Sequence, residues 1–199
     1  MGEQCAEDLR AHAVAKGVRI STLTAVHQLP AKAADAADEY NGLPAVALLA
    51  PGGCVMLRIN LWVGGNLFNG ARGTVHSIVY GSEADRATRK LPAYVVAVFP
   101  GYGGTPFLPD VPHSVAVAPR RRAHNSIEGA ARTQVPLVHA SAFTIHKAQG
   151  DEFDHITVYL DAKCMPAAGY TALSRVATSH CYLIGGRVTR KHFVPVMHV

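Results

Sequence analysis

The sequence lacks the residue patterns that mark several common classes of protein. Only 4 of its 199 residues are cysteine, and no two form a Cys-x-x-Cys pair, so neither a zinc ribbon nor a redox pair is indicated. No apolar run approaches the roughly 18 residues that a membrane-spanning helix needs, and no membrane partner is expected. Residues 1–10 are acidic where a signal peptide begins with basic residues. We therefore expect an intracellular protein, nuclear or mitochondrial if eukaryotic, with reduced and mostly buried thiols.

The sequence also lacks the segments that hold nucleotide phosphates. A phosphate-binding loop reads Gly-x-x-x-x-Gly-Lys-Ser/Thr, because backbone amides cradle the phosphates and the lysine neutralises them. No Gly-Lys dipeptide occurs in this chain, and no Asp-Glu pair follows an apolar strand, since Asp151-Glu152 lies in a predicted loop. The 11 histidines show no compact ligand pattern such as His-Glu-x-x-His, so no metal site is expected.

The charge that is present is concentrated in the later part of the chain. Residues 1–53 contain 4 Lys/Arg and 6 Asp/Glu, a net charge of −2, whereas residues 54–199 contain 15 and 8, a net charge of +7. A basic surface favours a polyanion, because neutralised phosphates release their counterions. Nucleic acid is therefore the first candidate partner, although net charge alone does not identify it.

Hydrophobic periodicity predicts an α/β chain with an all-β stretch in its middle. The Pro51-Gly52-Gly53 turn precedes this stretch, an Asn69-Gly70 turn lies within it, and short strands flank that turn as in a small barrel. Residues 100–119 predict an extended loop. The last strand, helix and strand form the minimal crossover unit of a parallel sheet. Helices are predicted over 3–16, 31–40 and 167–177, and strands over 18–23, 54–59, 73–80, 94–99, 138–145, 156–160 and 181–184.

One segment places polar side chains after a predicted strand. It reads Thr144-Ile145-His146-Lys147-Ala148-Gln149-Gly150. Loops at the carboxyl ends of parallel strands bind ligands in open sheets. A hydroxyl, an imidazole, an ammonium and an amide can hold phosphates and nucleobases, and the glycine allows close backbone approach. The residues alone leave an ordinary polar loop as the alternative.

A second segment places an arginine on a predicted helix. Tyr170, Leu173 and Val176 share the face that is expected to pack on the sheet, so Arg175 points elsewhere. An arginine on a rigid element can stabilise the charge on a transferring phosphoryl group, an effect of about 10³ to 10⁵ in rate. A surface arginine in a weak ion pair is the alternative.

Together these segments resemble motifs V and VI of the superfamily 1 DNA helicases of the PIF and RecD type. In that family the first motif reads Thr-Ile-His-Lys-Ser-Gln-Gly and the second ends in Ala-Leu-Ser-Arg. Residues 54–62 and 68–75 also resemble the lead into the family's small Src-homology-3-like barrel, and the matches keep the family's order over about residues 43–185. Position 148 departs from the pattern, because Ala148 lacks the hydroxyl of the usual serine.

The resemblance implies an α/β fold, namely a partial second RecA-like domain of the P-loop NTPase type, with a parallel sheet and an inserted Src-homology-3-like β-barrel. Residues 1–50 would be a shortened N-terminal part of that domain and residues 51–135 the inserted barrel with its Gly/Pro-rich loop. Residues 136–199 would be the C-terminal part that carries both motifs. The first RecA-like domain is absent and would have to act in cis or in trans.

The resemblance also implies a role for each matched residue. Arg175 would be the catalytic arginine that reaches the γ-phosphate, and Gln149 and Gly150 would lie beside the nucleotide. Trp62 would be a secondary candidate for DNA contact, with a barrel aromatic as the alternative. The residues implied to contact single-stranded DNA are Thr144, His146, Lys147, Arg72, Arg120, Arg121 and Arg122, of which Lys147 could serve either ligand.

The expected function is the C-terminal portion of an ATP-dependent 5′–3′ DNA helicase that is inactive alone. ATP and Mg²⁺ would be cofactors of the complete enzyme, and this chain alone would bind neither. Two alternatives stay open: a nucleic-acid-binding module without motor activity, and a fragment with no activity. A stand-alone hydrolase ranks last, because the spacing of residues indicates no nucleophile, base and orienting acid.

Overall fold

The computed structural model of the chain describes residues 2–87, 90–141, 145, 152–160, 167–178 and 180–194. Its contacts divide the chain into two compact units, Met1–Ala142 and Phe143–Val199. Strands and helices are mixed, in agreement with the predicted α/β class. No helix in the described ranges has the length and apolar character to cross a membrane.

The first unit begins with helix α1, Gly2–Lys16, as predicted. Leu9 and Ala13, one helical turn apart, are buried on its inner face. The helix ends at Gly17, whose φ of +63° is cheap only for a residue without a Cβ atom. A second short helix, α2, spans Glu83–Ala87.

Ten strands lie in the described part of the first unit. They are β1 Ser21–Thr24, β2 Val26–His27, β3 Val46–Leu49, β4 Cys54–Leu57, β5 Arg72–Val79, β6 Tyr94–Val98, β7 Ser114–Val117, β8 Arg120–Ala123, β9 Ala131–Gln134 and β10 Leu137–His139. These strands form a five-stranded sheet in the order β10-β4-β5-β6-β7, a three-stranded sheet in the order β2-β9-β8 and the pair β1-β3, all antiparallel.

The predicted closed barrel is not confirmed. In the described part of the chain, β10 and β7 are the two ends of the five-stranded sheet and do not pair with each other. The sheet buries alternate apolar residues in one core, including Val55, Leu57, Val95, Phe99 and Leu137. The strands predicted over 54–59, 73–80 and 94–99 are confirmed as β4, β5 and β6.

The Asn69-Gly70 turn forms where the sequence predicts it. Gly70 has a φ of +107° and its N–H donates to the carbonyl of Leu57 at 2.9 Å. The N–H of Asn69 donates to the Oδ1 atom of Asn60 at 2.7 Å. These bonds lead the chain from β4 into β5, which it enters at Arg72 opposite Met56.

Arg132 in β9 is the largest fully buried side chain among the described residues, with 0% exposure. Its Nη1 donates to the carbonyl of Leu43 at 2.8 Å, and its Nη2 donates to those of Asp35 and Ala33 at 2.8 and 3.1 Å. Its guanidinium carbon lies 4.0 Å from the ring centroid of buried Tyr40. The Arg132 side chain therefore donates to three backbone carbonyls of residues 33–43 and stacks on the Tyr40 ring in the same stretch.

This contact explains why the predicted helix over 31–40 is wrong. The carbonyls of Ala33 and Asp35 accept from Arg132 instead of from the N–H groups four residues ahead, which a helix would require. The structure instead has two short 3₁₀ turns, Pro30–Lys32 and Ala37–Tyr40.

Three smaller expectations also differ. The loop predicted over 100–119 contains β7, because Val115 and Val117 alternate and pair with β6. The strand predicted over 138–145 is limited to β10, and residues 142–144 lie outside the described ranges. Cys54 is a free, exposed thiol rather than a buried one, because it begins β4 on the solvent face.

The second unit is a crossover between two parallel strands. β11, Ile156–Leu160, pairs with β12, Tyr182–Gly186, so that Ile156 lies opposite Tyr182. The connection carries helix α3, Ala168–Leu173, which packs on β11 through Ala172, Val158 and Leu160. The predicted strand, helix and strand are confirmed, with a helix shorter than the predicted range 167–177.

Replacing Arg132 with methionine is expected to destabilise the first unit by about 3 kcal/mol, because three buried carbonyls lose their donor while the apolar stem stays. Chemical denaturation followed by circular dichroism measures the change. The matched control is Arg86→Met on exposed α2, which we expect to lie within about 0.5 kcal/mol of the parent. Equal stability of the two variants would show that Arg132 does not hold residues 30–43.

Candidate functional site

Arg175 follows the last turn of α3. Its Nε donates to the carbonyl of Thr171 at 3.3 Å, and its Nη2 donates to the hydroxyl of Ser174 at 2.8 Å. No acidic side chain in the described ranges lies within salt-bridge distance of it. The guanidinium is partly exposed. Its positive charge is therefore accessible to a ligand and is not neutralised by an ion pair with a described carboxylate.

The backbone carbonyl of Arg175 accepts a hydrogen bond from a residue that follows the polar segment 144–150. The N–H of Phe153 donates to the carbonyl of Arg175 at 2.9 Å. Ile145 packs against the cluster of Val158, Leu160 and Ala172, to which α3 also belongs. Ile145 therefore packs in the cluster to which α3 contributes, and Phe153 bonds to Arg175 itself.

Five predicted site residues lie outside the described ranges. They are Thr144, His146, Lys147, Gln149 and Gly150. The two described residues nearest to them along the chain are Ile145 and Glu152. The roles predicted for these five stay predictions.

The face of α3 that packs on the sheet is only partly the predicted one. Leu173 packs against the cluster of Val158, Leu160 and Ala172 as predicted. Tyr170 is instead 69% exposed, whereas Ala168 and Ala172, one turn apart, are buried. Val176 lies past the end of the helix, which ends at Leu173. The small side chains let α3 approach β11 closely, and the predicted separation of Arg175 from the packed face is kept.

The predicted arginine cluster forms strand β8, at the edge of the three-stranded sheet. Arg120 and Arg121 are exposed, and Arg121 donates to the side chain of Gln28. Arg122 is half-buried opposite Arg132, so its Nε has no hydrogen-bond partner in the described part of the chain. Arg72, at the start of β5, is half-buried. The exposed positive charge of this cluster therefore belongs to its first two members.

Sequence reasoning missed the positioning contacts of Phe153 and Ile145. The first acts through a backbone amide, for which no side-chain pattern exists. The second is an apolar residue inside a polar motif, and that is the signal that could have identified it as an anchor. Among the described residues, no three His, Cys, Asp or Glu side chains converge closely enough to hold a metal ion.

A junction between α1 and the end of β10 precedes the polar segment. The hydroxyl of Ser141 donates to the Oδ2 atom of Asp8 at 2.9 Å, and the Nε2 atom of His12 lies 2.9 Å from the carbonyl of Pro51. Burial lowers the pKa of His139 from its usual value and is the dominant cause; the backbone of Cys54 and the charge of Asp8 oppose it, and His12 adds to it. The neutral imidazole is therefore the form that the folded chain favours here.

Comparisons with known proteins find similarity in solved structures alone. No protein-family model and no curated protein matches the sequence. The Bacteroides Pif1 helicase in complex with ADP-AlF3 and single-stranded DNA has a TM-score of 0.66 and 19% identity, over 98% of this chain and 41% of that chain. Bacteroides Pif1 bound to single-stranded DNA has a TM-score of 0.65 and 20% identity, over 89% and 37%.

The Pif1 helicase from Candida albicans has a TM-score of 0.62 and 23% identity, over 88% of this chain and 41% of that chain. This chain thus spans about two-fifths of the length of these helicases. Such identities establish a shared fold and leave the activity to be argued from the site. The predicted resemblance to this type of helicase is confirmed at the level of the fold.

The junction at His139 predicts a loss of stability in mild acid. Unfolded histidine takes up a proton as the pH falls through about 6.5, whereas the folded His139 does so only at lower pH. The unfolded state then binds more protons, so the free energy of unfolding decreases as the pH falls from about 7.5 to about 5.5. Denaturant titrations of His139→Gln should show a smaller decrease than the parent chain.

The control for this measurement is His76→Gln, at an exposed position of β5. It should keep the pH dependence of the parent chain. An equally large acid loss in His139→Gln would show that His139 does not contribute.

Proposed function

We propose that this chain is the C-terminal portion of a Pif1-type ATP-dependent 5′–3′ DNA helicase. In this proposal it supplies part of a second RecA-like domain, from residues 1–50 and 136–199, and the five-stranded sheet corresponds to an inserted Src-homology-3-like barrel. Three features support it. They are the ordered motif matches, the fold shared over about two-fifths of the length of the Pif1 helicases, and the parallel crossover of β11, α3 and β12.

The observation that carries the proposal is a pair of contacts, one within the polar segment and one shortly after it. Ile145 packs in the cluster that holds α3, and Phe153 bonds to the backbone of Arg175. Gln149 and Gly150 lie between these two residues in the sequence. In the proposal they would contact the nucleotide beside Arg175.

In chemical terms this chain would provide the charge-stabilising half of an ATP site. The Arg175 guanidinium, free of an acidic partner in the described ranges, would stabilise the negative charge that develops on the transferring phosphoryl group. The phosphate-binding loop and the ligands of Mg²⁺ would come from a first RecA-like domain, in cis or in trans. The chain alone is proposed not to hydrolyse ATP, because its sequence has no Gly-Lys dipeptide.

The DNA-facing part of the proposal combines the polar segment with exposed arginines. Thr144, His146 and Lys147 would contact a single strand beside the nucleotide. Arg120 and Arg121 would add phosphate contacts from the edge strand β8, where no further strand covers them within the described part. The Bacteroides structures with bound single-stranded DNA support this ligand class for the fold.

A second candidate function is a nucleic-acid-binding module without motor activity. The net charge of residues 54–199 and the missing phosphate-binding loop favour it. Both functions require single-stranded DNA binding, and they differ in whether Arg175 ever serves a nucleotide.

Binding of single-stranded DNA is the first test. The purified chain should bind a fluorescein-labelled oligo(dT), measured by anisotropy, with an affinity that falls as salt rises. The logarithmic slope changes by about 0.7 for each phosphate contact on a single strand. Replacing Arg120 and Arg121 with glutamine should reduce the slope by about that amount for each arginine that contacts a phosphate.

The control variant is Arg86→Gln, which removes one exposed positive charge from α2. Its salt slope should equal that of the parent chain. An equal effect from the control, or no binding at low salt, would contradict the proposed DNA contacts.

A further inference from the structure

Two loops of the first unit bring a tryptophan and a tyrosine together, and we call Trp62 and Tyr102 the aromatic platform. Their ring centroids lie 6.1 Å apart at an interplanar angle of 73°, which is an edge-to-face pair. Trp62 is 54% exposed. A large apolar side chain that is more than half exposed at this position contributes little to the core of the sheet.

The indole ring is held in place by glycines. A Cβ atom added at Gly104 would lie 2.8 Å from the ring's Cζ3 atom, and one added at Gly65 would overlap the ring. Both glycines therefore leave the space that the indole occupies. Because one side of the ring rests on backbone, the ring loses little freedom when a ligand covers the other side.

The loops that carry the platform are themselves fixed. Trp62 and Leu67 exchange two backbone hydrogen bonds, each of 3.0 Å, and the side chain of Asn66 donates to the carbonyl of Gly101 at 2.8 Å. On the other loop, the hydroxyl of Tyr102 donates to the carbonyl of Thr105 at 3.2 Å. The platform is thus preorganised by bonds within and between its two loops.

The surroundings of the platform are neutral. Residues 60–71 and 99–109 contain no Asp, Glu, Lys or Arg. A charged small ligand finds no ionic partner in these loops, whereas a flat uncharged ring finds an exposed indole. The nearest cations along the chain are Arg58 and Arg72, on either side of the first loop, and Asp110 directly follows the second loop.

We propose that the aromatic platform stacks an unpaired nucleobase of single-stranded DNA, with Trp62 as the stacking residue and Tyr102 as its support. The inference rests on the proposed function, because it assigns to this fold a contact with the same strand. The net charge of +7 on residues 54–199 draws the polyanion to this part of the chain, and the neutral loops receive the base rather than the phosphate.

An apolar protein segment is the competing occupant, and the charge pattern favours the nucleic acid. Stacking on an aromatic ring needs one free face and tolerates any base, because every base has a π-face. It should therefore add affinity that does not depend on salt, in contrast to the phosphate contacts of Arg120 and Arg121.

Trp62 is the only tryptophan of the chain, so its fluorescence reports this one position. Titration with an unlabelled oligo(dT) should quench and saturate the emission at the concentrations at which anisotropy reports binding. Two ligand controls separate bases from phosphates. An abasic oligonucleotide of equal length and a fully paired duplex should both leave the emission nearly unchanged.

Variants provide the second measurement. Trp62→Ala should weaken oligo(dT) binding about 10-fold at every salt concentration with an unchanged salt slope, and Trp62→Phe should keep most of the affinity. The matched control is Val63→Ala, which removes exposed apolar surface from the adjacent residue without removing a ring. It should bind like the parent chain. Circular dichroism verifies folding, and a misfolded alanine variant leaves the decision to Trp62→Phe and the quenching of the parent chain.

The outcomes distinguish this inference from the proposed function. Binding of oligo(dT) without quenching overturns the stacking site and leaves the phosphate contacts intact. Equal quenching by the abasic oligonucleotide overturns it as well, because no base is then needed. Absence of any DNA binding overturns both proposals, and quenching by an apolar peptide in place of DNA would assign the platform to a protein partner.

Discussion

The cluster of Val158, Leu160 and Ala172 is the constraint on which the functional geometry depends. It packs α3 on the parallel pair and thereby fixes where Arg175 emerges. The same cluster takes up Ile145, and the N–H of Phe153 donates to the Arg175 carbonyl. Apolar packing and one backbone hydrogen bond thus fix Ile145 and Phe153 to the packed unit of β11 and α3, from which Arg175 emerges.

In the first unit, the irregular backbone of residues 30–43 is held against the three-stranded sheet by Arg132 of β9. Arg132 does this with one guanidinium, because its donors bond to three carbonyls in residues 30–43. The guanidinium also stacks on the ring of Tyr40. Two further arginines of this sheet, Arg120 and Arg121, are exposed, and Arg121 also donates to Gln28.

Much of the fold follows from local signals in the sequence. The Asn69-Gly70 turn, the alternation in β4, β5 and β6, and the run that forms β11 are decided by neighbouring residues, and their predictions hold. The helix predicted over 31–40 fails, because its carbonyls bond to a residue about a hundred positions away that no local pattern reveals. The packed face of α3 is predicted correctly for Leu173 but not for Tyr170, since alanines fit the close approach to β11. The role of Arg175 stays a prediction of the motif, and no pattern of residue types predicts the backbone bond between Phe153 and Arg175.

ATP turnover in the presence of single-stranded DNA tests most directly whether Arg175 completes a nucleotide site. The chain would be measured alone and then with a Pif1-type first RecA-like domain that carries a phosphate-binding loop. We expect no turnover by the chain alone, and turnover by the pair that falls at least about 10³-fold with Arg175→Ala. Turnover by the chain alone, or turnover by the pair that survives Arg175→Ala, would contradict the proposed division of the site.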